Sequence, residues 1–535
     1  MEAGMVALAD TPLISIVMPT FDPRESHLRE AIDSVRAQSF GGWELCVADD
    51  GSRTPHVKRV LEQAAAEDDR VRVDLAERNS GISAATNRAV AMARGEYVAF
   101  LDHDDVLAPD ALEVVAAAIE ADPPPDFLYS DQDKLDRRGR RLAPFHKPDW
   151  SPVYALGAMY VGHLLVARAS LVREAGGLDS SFDGIQDFEL MLRLSERGGR
   201  IAHLPKVLYH WRAAPGSIAA GTEEKSGIPE LQARAVSEHL RRRGVPAHAE
   251  QHPTIPHRAC LAADAARERP PVSVVVAPGG ARADLERCLE SVRRAAYPKL
   301  EVGVADPSAS GSLSAALNAA AARSTAELLV FVAAYAELSD PGWLDALQLQ
   351  AEVPGVGAVA PLSLFPDGRV AESGLAARRW DARGRVAPSE WWHGTAPVEP
   401  IMRGADGASD GYYGSLSCAR EVAAASASCL LVPRHVFEDA DGFDAHYRSR
   451  HHDVDLCLRI RRLGLTVVVT PRARAIVHTD PAGRPEDMVD RAVLVDTWFE
   501  ELDRGDPCLN ANLSFDMAPL DGRGAGLLPR IARRA

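Results

Sequence analysis

The sequence is organised around one stretch, Tyr97-Val98-Ala99-Phe100-Leu101-Asp102-His103-Asp104-Asp105. Its first five residues are apolar, which is typical of a buried strand in a parallel sheet. Three Asp follow within four residues, and carboxylates this close raise one another's pKa unless a cation shares them. We interpret the stretch as a strand that ends in a divalent-metal site. The alternative is a solvated acidic turn that caps the next helix, because Asp is a good N-cap residue.

A second acidic strand end supports the metal interpretation. The apolar segment 43–48 is followed by Asp49-Asp50-Gly51-Ser52. Apolar strand patterns and helical patterns alternate from residue 13 to residue 105, which predicts a doubly wound, mostly parallel sheet. The carboxyl ends of parallel strands meet at the ligand-binding edge of such a sheet, so we expect both Asp groups to face one site.

Sequence patterns of other phosphate-binding sites are missing. No G-x-G-x-x-G follows the first strand, and no G-x-x-x-x-G-K-[ST] is present. A phosphate would therefore be held by a metal rather than by a glycine-rich loop. Two further residues are ambiguous. Asp187 lies at the start of a predicted helix and is either an N-cap or a general base. His210 follows a strand and is either structural or part of a metal shell.

Composition limits the class of protein. The 535 residues carry a net charge of −16 without a dense basic run, so a nucleic-acid partner is not expected. The seven cysteines form no C-x-x-C pair and favour a reducing compartment. The first eleven residues lack the features of a signal peptide, and no uncharged apolar run reaches the roughly 18 residues of a membrane span. We expect a cytoplasmic protein, with peripheral contact at the inner face of the plasma membrane as an alternative.

Five motifs in the first half, taken in order, resemble a known family. They are Pro19-Thr20-Phe21, Asp49-Asp50-Gly51-Ser52, Asn79-Ser80-Gly81, Leu101-Asp102-His103-Asp104-Asp105 and Gln186-Asp187. Together they resemble a family-2 glycosyltransferase with the GT-A fold, over roughly residues 13 to 212. The resemblance implies an inverting, metal-dependent enzyme that moves a sugar, hexosyl or deoxyhexosyl, from a nucleotide-diphosphate sugar to a hydroxyl of a glycan, using Mn²⁺ or Mg²⁺.

The resemblance also implies roles for individual residues. Asp104 would be the principal metal ligand of the Asp-x-Asp motif, His210 a third metal ligand and Asp187 the catalytic base. Asp50 would contact the nucleobase of the donor, and Asp102 would lie near its ribose and diphosphate. The residues implied in nucleotide binding are Pro19, Phe21, Asp50, Asn79, Gly81 and Asp102.

Two further segments, 146–150 (His-Lys-Pro-Asp-Trp) and 209–212 (Tyr-His-Trp-Arg), resemble bacterial surface-polysaccharide transferases. They indicate a role in polysaccharide biosynthesis at the bacterial cell envelope. The acceptor would be a growing glycan, with a lipid-linked acceptor as one alternative.

The second half repeats the pattern without its carboxylates. Residues 272–278 resemble residues 14–20, and Asn318 corresponds to Asn87. However, Ala-Ala-Tyr-Ala at 333–336 replaces Asp102 to Asp105. Asp453 aligns with Asp187, and His478 aligns roughly with His210. We expect a second GT-A domain that no longer catalyses transfer. A metal-independent transferase, or a new metal site formed by His451, His452, Asp453 and His478, are the alternatives.

The sequence thus predicts an α/β protein with two tandem GT-A domains, each with a Rossmann-like, mostly parallel sheet between helices. We expect an N-terminal tail at 1–12, the catalytic domain at 13–215, a helical linker at 216–269, the degenerate domain at 270–480 and a C-terminal helical extension and tail at 481–535. The sequence disfavours two other functions. A nucleotidyltransferase would need a glycine-rich, basic loop after the first strand, and residues 19–23 lack one. A noncatalytic glycan-binding scaffold is disfavoured by the intact Asp50, Asp102, Asp104 and Asp187.

Overall fold

A computed structural model describes residues 11–212, 227–377, 397–480 and 487–518. Most of the expected N-terminal tail, the start of the expected linker and the basic C-terminal stretch 523–535 lie outside the described residues. The chain divides into two compact units. Within the described residues, the first unit comprises 11–150, 159–212 and 227–239, and the second comprises 151–158, 240–377, 397–480 and 487–518.

The first unit is built from nine strands and seven helices, numbered along the whole chain. Its strands are β1 (Ile14–Thr20), β2 (Trp43–Asp49), β3 (Val71–Leu75), β4 (Tyr97–Phe100), β5 (Val106–Leu107), β6 (Phe127–Leu135), β7 (Arg141–Phe145), β8 (Leu165–Arg168) and β9 (Ile201–Arg212). Its helices are α1 (Glu25–Arg36), α2 (Pro55–Glu67), α3 (Ile82–Met92), α4 (Ala111–Ile119), α6 (Ala169–Glu174), α7 (Gln186–Ser195) and α8 (Ile228–Arg242), of which α8 runs on into the second unit.

The first sheet has the order β3-β2-β1-β4-β8-β6-β9-β5, with β7 beside β6. Its half from β3 to β4 is parallel, while β8 runs antiparallel to both β4 and β6. Every residue of β1 and β2 is buried, because helices cover both faces of a doubly wound sheet. Strand β1 lies between β2 and β4, so the two acidic strand ends flank its carboxyl end.

Helical periodicity explains how the helices attach to this sheet. In α1 the buried residues include Leu28, Ala31, Ile32 and Val35, which follow the i, i+3, i+4, i+7 spacing of one helix face. They belong to the core that also contains the apolar residues of β1, β2 and β4. This spacing is visible in the sequence, where it predicts a helix over 28–38; the observed helix begins three residues earlier and ends two residues earlier.

The second unit has thirteen strands. They are β10 (Ala247–Gln251), β11 (Ala259–Ala263), β12 (Val272–Ala277), β13 (Leu300–Val304), β14 (Leu328–Ala333), β15 (Ala336–Leu338), β16 (Val356–Leu364), β17 (Val370–Glu372), β18 (Leu375–Ala377), β19 (Val398–Pro400), β20 (Arg420–Val422), β21 (Cys429–Pro433) and β22 (Thr466–Val477). Its helices are α5 (Pro152–Gly157), α9 (Arg282–Arg293), α10 (Pro307–Ser310), α11 (Leu313–Ala322), α12 (Trp343–Ala351), α13 (Arg434–Asp439), α14 (His452–Arg462) and α15 (Met488–Arg504).

The main sheet of the second unit repeats the first. Its order is β13-β12-β14-β21-β16-β22-β15, which matches the first sheet strand for strand from β2 to β5. Ile14 pairs with both Trp43 and Tyr97, and Val272 pairs with both Leu300 and Leu328. This register places Tyr335 at the position of Asp104. The predicted tandem α/β architecture is therefore confirmed.

Matching side-chain contacts support the repeat. Asn87 exchanges two hydrogen bonds with the backbone of Leu178, both 2.8 Å long. Asn318 makes the same pair with the backbone of Phe443, at 2.7 and 2.9 Å. An amide that both donates to and accepts from one residue fixes the helix against the following loop. The Asn residues are thus retained for packing in both units.

Two general findings concern the whole described chain. All seven cysteines lie within it and are free thiols. Among its helices, none is long and apolar enough to cross a membrane.

Candidate active site

The carboxyl end of β2 is tied to the turn at residues 79–81. Asp50 is almost fully buried, and its carboxylate accepts hydrogen bonds from the N–H groups of Ser80 and Gly81 at 2.9–3.1 Å. Arg88 lies 3.3 Å from the same carboxylate. Gly81 has φ +97°, and a Cβ there would lie 2.4 Å from Asp183, so only glycine fits. Asp50 therefore shapes the Asn79 to Gly81 turn, and Asn79 itself is exposed.

The carboxyl end of β1 lies between this turn and the Asp-rich loop. Pro19 is buried, and its carbonyl oxygen lies 3.2 Å from Nδ1 of His103. Phe21 is 37% exposed, with the Arg53 guanidinium 5.5 Å from its ring centroid. The structure thus brings Pro19 into contact with the loop and leaves Phe21 partly exposed at the edge, with Arg53 over its ring.

Hydrogen bonds from β9 hold the Asp-rich loop, residues 101–105, in place. Asp105 is buried and accepts a 2.6 Å hydrogen bond from the Tyr209 hydroxyl and a 2.7 Å bond from the Arg212 N–H. The Arg212 guanidinium also donates to the carbonyl of Asp104. Burial, followed by the neighbouring Asp104 and Asp102 carboxylates, raises the pKa of Asp105 well above its usual range. Asp105 is therefore a structural residue of the loop, a role that the sequence analysis did not assign.

Asp102 and Asp104 face the open side of the loop. Although the Asp102 side chain is 38% exposed, desolvation by the surrounding protein raises its pKa; Asp104 and Asp187 add to the shift, while His163, 4.0 Å away, opposes it. Within the described residues, the Asp104 carboxylate accepts no hydrogen bond. Asp102 and Asp104 are thus neighbouring carboxylates, and that of Asp104 accepts no hydrogen bond from the described part of the chain. Such a pair fits a divalent ion, since Mg²⁺ and Mn²⁺ are commonly held by one or two carboxylates together with substrate phosphates.

A cluster of three protein ligands is not formed here. Over residues 11–212 and the other described ranges, no group of three His, Cys, Asp or Glu side chains could hold a metal ion alone. His210 is buried on β9, and its Nδ1 lies 2.6 Å from Asp133, which also receives a 2.6 Å bond from Arg141. The structure places His210 in this His–Asp–Arg chain, and its role as a metal ligand stays a prediction.

Asp187 lies in the first turn of α7, one residue after the helix begins. The N-cap position is Ile185, which makes no side-chain cap. One Asp187 oxygen accepts the N–H of Phe188 at 2.9 Å, and the other accepts none from the residues that the structure describes. Asp187 also contributes to the raised pKa of Asp102, so the two carboxylates share one electrostatic environment. The arrangement leaves an oxygen free to take a proton at this edge.

Two residues that the sequence analysis did not assign complete the edge. His163 stacks on Tyr209 at 4.7 Å and lies near Asp102. Lys147 is fully buried and brings Nζ within hydrogen-bond distance of the carbonyls of Ser130, Val161 and His163 and the side-chain oxygen of Gln132. Burial lowers the pKa of Lys147 to about 7. Lys147 belongs to the segment 146–150 that carries the sequence resemblance, but only the structure shows that this lysine is buried, which is unusual for the residue type.

The corresponding edge of the second unit has lost the features that fit a metal. Tyr335 stands where Asp104 stands in the first unit, and the carboxylates of Asp102 and Asp105 are replaced by alanines. Asp453 is the second residue of α14, as Asp187 is the second residue of α7. Its carboxylate likewise accepts the N–H of the following residue, Val454, at 2.9 Å. Its second oxygen, however, accepts the Ala427 N–H at 2.8 Å. Both Asp453 oxygens are thus engaged, which makes this carboxylate a weaker candidate base.

His478 does not occupy the place of His210. In the first sheet Val106 pairs with His210, whereas in the second sheet the corresponding Glu337 pairs with Ile476. His478 lies two residues further and contacts Glu337 at 2.9 Å. The rough alignment of the two histidines was wrong by two residues. In the described part of the chain, His451, His452, Asp453 and His478 do not form a metal site.

A buried glutamate next to Asp453 predicts a pH-dependent stability of the second unit. Burial raises the pKa of Glu372 from 4.5 to about 7, Asp453 adds to the shift, and the Ser426 N–H and Arg403 oppose it. The folded state therefore binds this proton more tightly, and the free energy of unfolding should fall as the pH rises from about 4.5 to about 7. The contribution of this one group is at most about 3 kcal/mol.

The variant Glu372→Gln removes the titrating group but keeps an oxygen for the Ser426 N–H, which lies 2.9 Å away. Chemical unfolding at pH 5 and pH 8 should show a smaller loss of stability for the variant than for the wild type. Equal losses in both proteins would contradict the assignment.

Comparisons with known proteins agree with this geometry. A model of the family "Glycosyl transferase family 2" matches residues 15–175. An uncharacterised glycosyltransferase of Methanocaldococcus jannaschii is 33% identical over 239 residues, which are 39% of this chain and 82% of that protein. The O-antigen biosynthesis protein RfbC of Myxococcus xanthus is 35% identical over 96% of this chain, and an uncharacterised protein of Sinorhizobium fredii is 34% identical over 95%. The chain spans 41% and 58% of the length of these last two relatives.

The α/β sheet with paired carboxylates at its ligand edge, together with these relatives, defines a glycosyltransferase. The relative from Methanocaldococcus jannaschii is matched over most of its own length. The chain therefore belongs to glycosyl transferase family 2, and the resemblance found in the sequence is confirmed.

Proposed function

We propose that the first unit transfers a sugar from a nucleotide-diphosphate sugar to a hydroxyl of a growing glycan, with inversion at the anomeric carbon. The observation that carries the proposal is the grouping of Asp102, Asp104 and Asp187 at one edge. Asp104 and one oxygen of Asp187 have no hydrogen-bond donor among the described residues. The relative named for O-antigen biosynthesis supports a polysaccharide as the product.

In the proposed reaction the acceptor oxygen forms a bond to the anomeric carbon while the bond from that carbon to the diphosphate breaks. The free oxygen of Asp187 takes the proton of the acceptor hydroxyl. Asp102 and Asp104 would hold Mn²⁺ or Mg²⁺, and the ion would supply positive charge for the leaving diphosphate. A single displacement needs one base, so the single carboxylate of Asp187 is sufficient.

The remaining edge residues are assigned to the nucleotide. Pro19, Phe21, Asn79 and Gly81 line the edge beside Asp50, and Phe21 offers an exposed ring on which a base can stack. His210 is proposed to position β9 through its contact with Asp133, and metal ligation is the alternative role. We place the catalytic domain at 13–215 and a noncatalytic domain at 270–480. The enzyme would work in the cytoplasm, at the inner face of the plasma membrane if the acceptor is lipid-linked.

Calorimetric titration of UDP, GDP and dTDP, with and without Mn²⁺, tests the donor site. We expect one nucleotide to bind in a Mn²⁺-dependent manner, and Asp104→Ala to weaken that binding at least about tenfold, because the ion loses a carboxylate ligand. The matched control is Asp110→Ala, which removes a surface carboxylate paired with Lys206. The control should bind like the wild type.

Two results would contradict the proposal. If metal-dependent binding survives in Asp104→Ala, the nucleotide is held elsewhere. If none of the three nucleotides binds, the first unit is not a donor site, and a noncatalytic scaffold becomes the better explanation.

A further inference from the structure

The second unit contains a cavity of about 360 Å³ at the edge that corresponds to the ligand edge of the first unit. Pro278 and Ala333, at the ends of β12 and β14, line one side. Tyr335, Glu372 and Asp453 line the rest, together with apolar residues and with the polar or charged side chains of Glu399, Ser449, Arg450, His451 and His452. The cavity is large enough for a sugar ring, and the unit has kept it although it has lost the carboxylates that fit a metal.

The two carboxylates of the cavity are fixed in position. Glu372 accepts the Ser426 N–H at 2.9 Å, and Asp453 accepts the adjacent Ala427 N–H at 2.8 Å. One short loop thus anchors both groups. A carboxylate oxygen can accept more than one hydrogen bond, so anchored carboxylates remain able to accept from a ligand. Glu372, whose pKa is raised to about 7 by burial, can also donate when protonated.

Part of the remaining wall is apolar or aromatic. Tyr335 is held by its hydroxyl, which lies 3.3 Å from Oγ of the buried Ser428. Leu313, Leu375 and Val398 complete this side. The cavity therefore combines groups that bind hydroxyls with surfaces that pack against C–H groups, which is the general arrangement of a small-molecule site.

A phosphate is a poor ligand for this cavity. Without a metal ion, three carboxylates of the described residues, those of Glu372, Glu399 and Asp453, line the cavity against the single guanidinium of Arg450, so the negative charge of a phosphate would be repelled. An uncharged ligand with several hydroxyls avoids this cost, because a hydroxyl donates to a carboxylate in a charge-assisted hydrogen bond. A pyranose ring has such hydroxyls on its rim and C–H groups on its faces.

We propose that the cavity lined by Tyr335, Glu372 and Asp453 binds an uncharged pyranoside. The binding site itself does not depend on the transfer reaction. Only the further step, that the pyranoside is a residue of the glycan acceptor or product, rests on the proposed function of the first unit. The second unit would then hold the glycan while the first extends it.

Saturation-transfer NMR on the full chain tests the proposal. The probes are the methyl glycosides of glucose, galactose, mannose and rhamnose. We expect at least one probe to receive saturation, and Asp453→Ala and Tyr335→Ala each to weaken its binding about fivefold to tenfold by removing a hydroxyl acceptor or a packing face. Tyr335→Phe, which keeps the ring, should weaken binding less than Tyr335→Ala.

Further variants separate this proposal from the first. Asp104→Ala should weaken metal-dependent nucleotide binding but leave pyranoside binding intact. Glu372→Gln keeps an acceptor for the Ser426 N–H, and chemical unfolding of the same variant shows whether a binding loss occurs in folded protein. The proposal is overturned if none of the four probes binds, or if binding persists unchanged in Asp453→Ala and Tyr335→Ala.

Discussion

Asp187→Asn is expected to lower the turnover of sugar transfer by about 10²–10⁴-fold, the usual contribution of a positioned general base. The amide has nearly the shape of the carboxylate and can still accept the Phe188 N–H, so α7 should begin as before. It cannot take a proton from the acceptor hydroxyl. Nucleotide affinity should change little, because the loss lies in the reaction step rather than in donor binding.

The measurement is steady-state release of the nucleoside diphosphate, using the donor class identified by calorimetry. Asp110→Asn is the control, since it also converts an Asp near a helix start to Asn but lies outside the site. A turnover within about threefold of the wild type would show that the base is another residue. Loss of nucleotide binding in Asp187→Asn would place this carboxylate at the donor instead.

The second large effect is expected on stability. Lys147→Met should reduce the free energy of unfolding of the first unit by about 3–5 kcal/mol. Methionine has a similar length but no donor, so four buried oxygens around Nζ would lose their hydrogen-bonding partner. Among them are the carbonyls of Ser130 and His163, both 2.6 Å from Nζ. Because His163 lies beside Asp102, we also expect weaker catalysis in the fraction that folds.

Chemical unfolding at pH 7.5 measures this effect, followed through the transition of the first unit because two units can unfold in separate steps. The control is Lys58→Met on α2, where the lysine is exposed and only loosely paired with Glu62 at 3.7 Å. That change should stay within about 0.5 kcal/mol. If Lys147→Met were as mild as the control, the buried amino group would not be holding the segment before β8.

The comparison of the two units shows why sequence reasoning recovered the architecture. Largely apolar runs such as 14–18 and 97–101 are long enough to identify buried strands, and helices between them enforce a parallel arrangement. Some short strands were not predicted. Strand β5 has two residues and β7 five, and neither carries a periodic pattern that separates it from a loop. These strands form because β9 and β6 present partners to them.

For the site, the carboxylates were named from the sequence, and the structure brings them to one edge. The supporting residues could not be named in this way. Asp105 had been part of the same acidic motif as Asp104, and only the contacts to Tyr209 and Arg212 show that it faces inward. Likewise, Asp187 and Asp453 look alike in sequence, and only the N–H of Ala427 on the second oxygen of Asp453 distinguishes them.

The sequence by itself determined the fold class, the repeat, the family and the residue types of the ligand edge, because local periodicity and ordered motifs are properties of the chain. The tertiary structure decided which carboxylate oxygens are free and which are already hydrogen-bonded, that Lys147 is buried among carbonyls, and that a cavity persists beside Glu372 and Asp453. These features depend on residues far apart in the chain that meet only when the sheets are assembled, so no local pattern could show them.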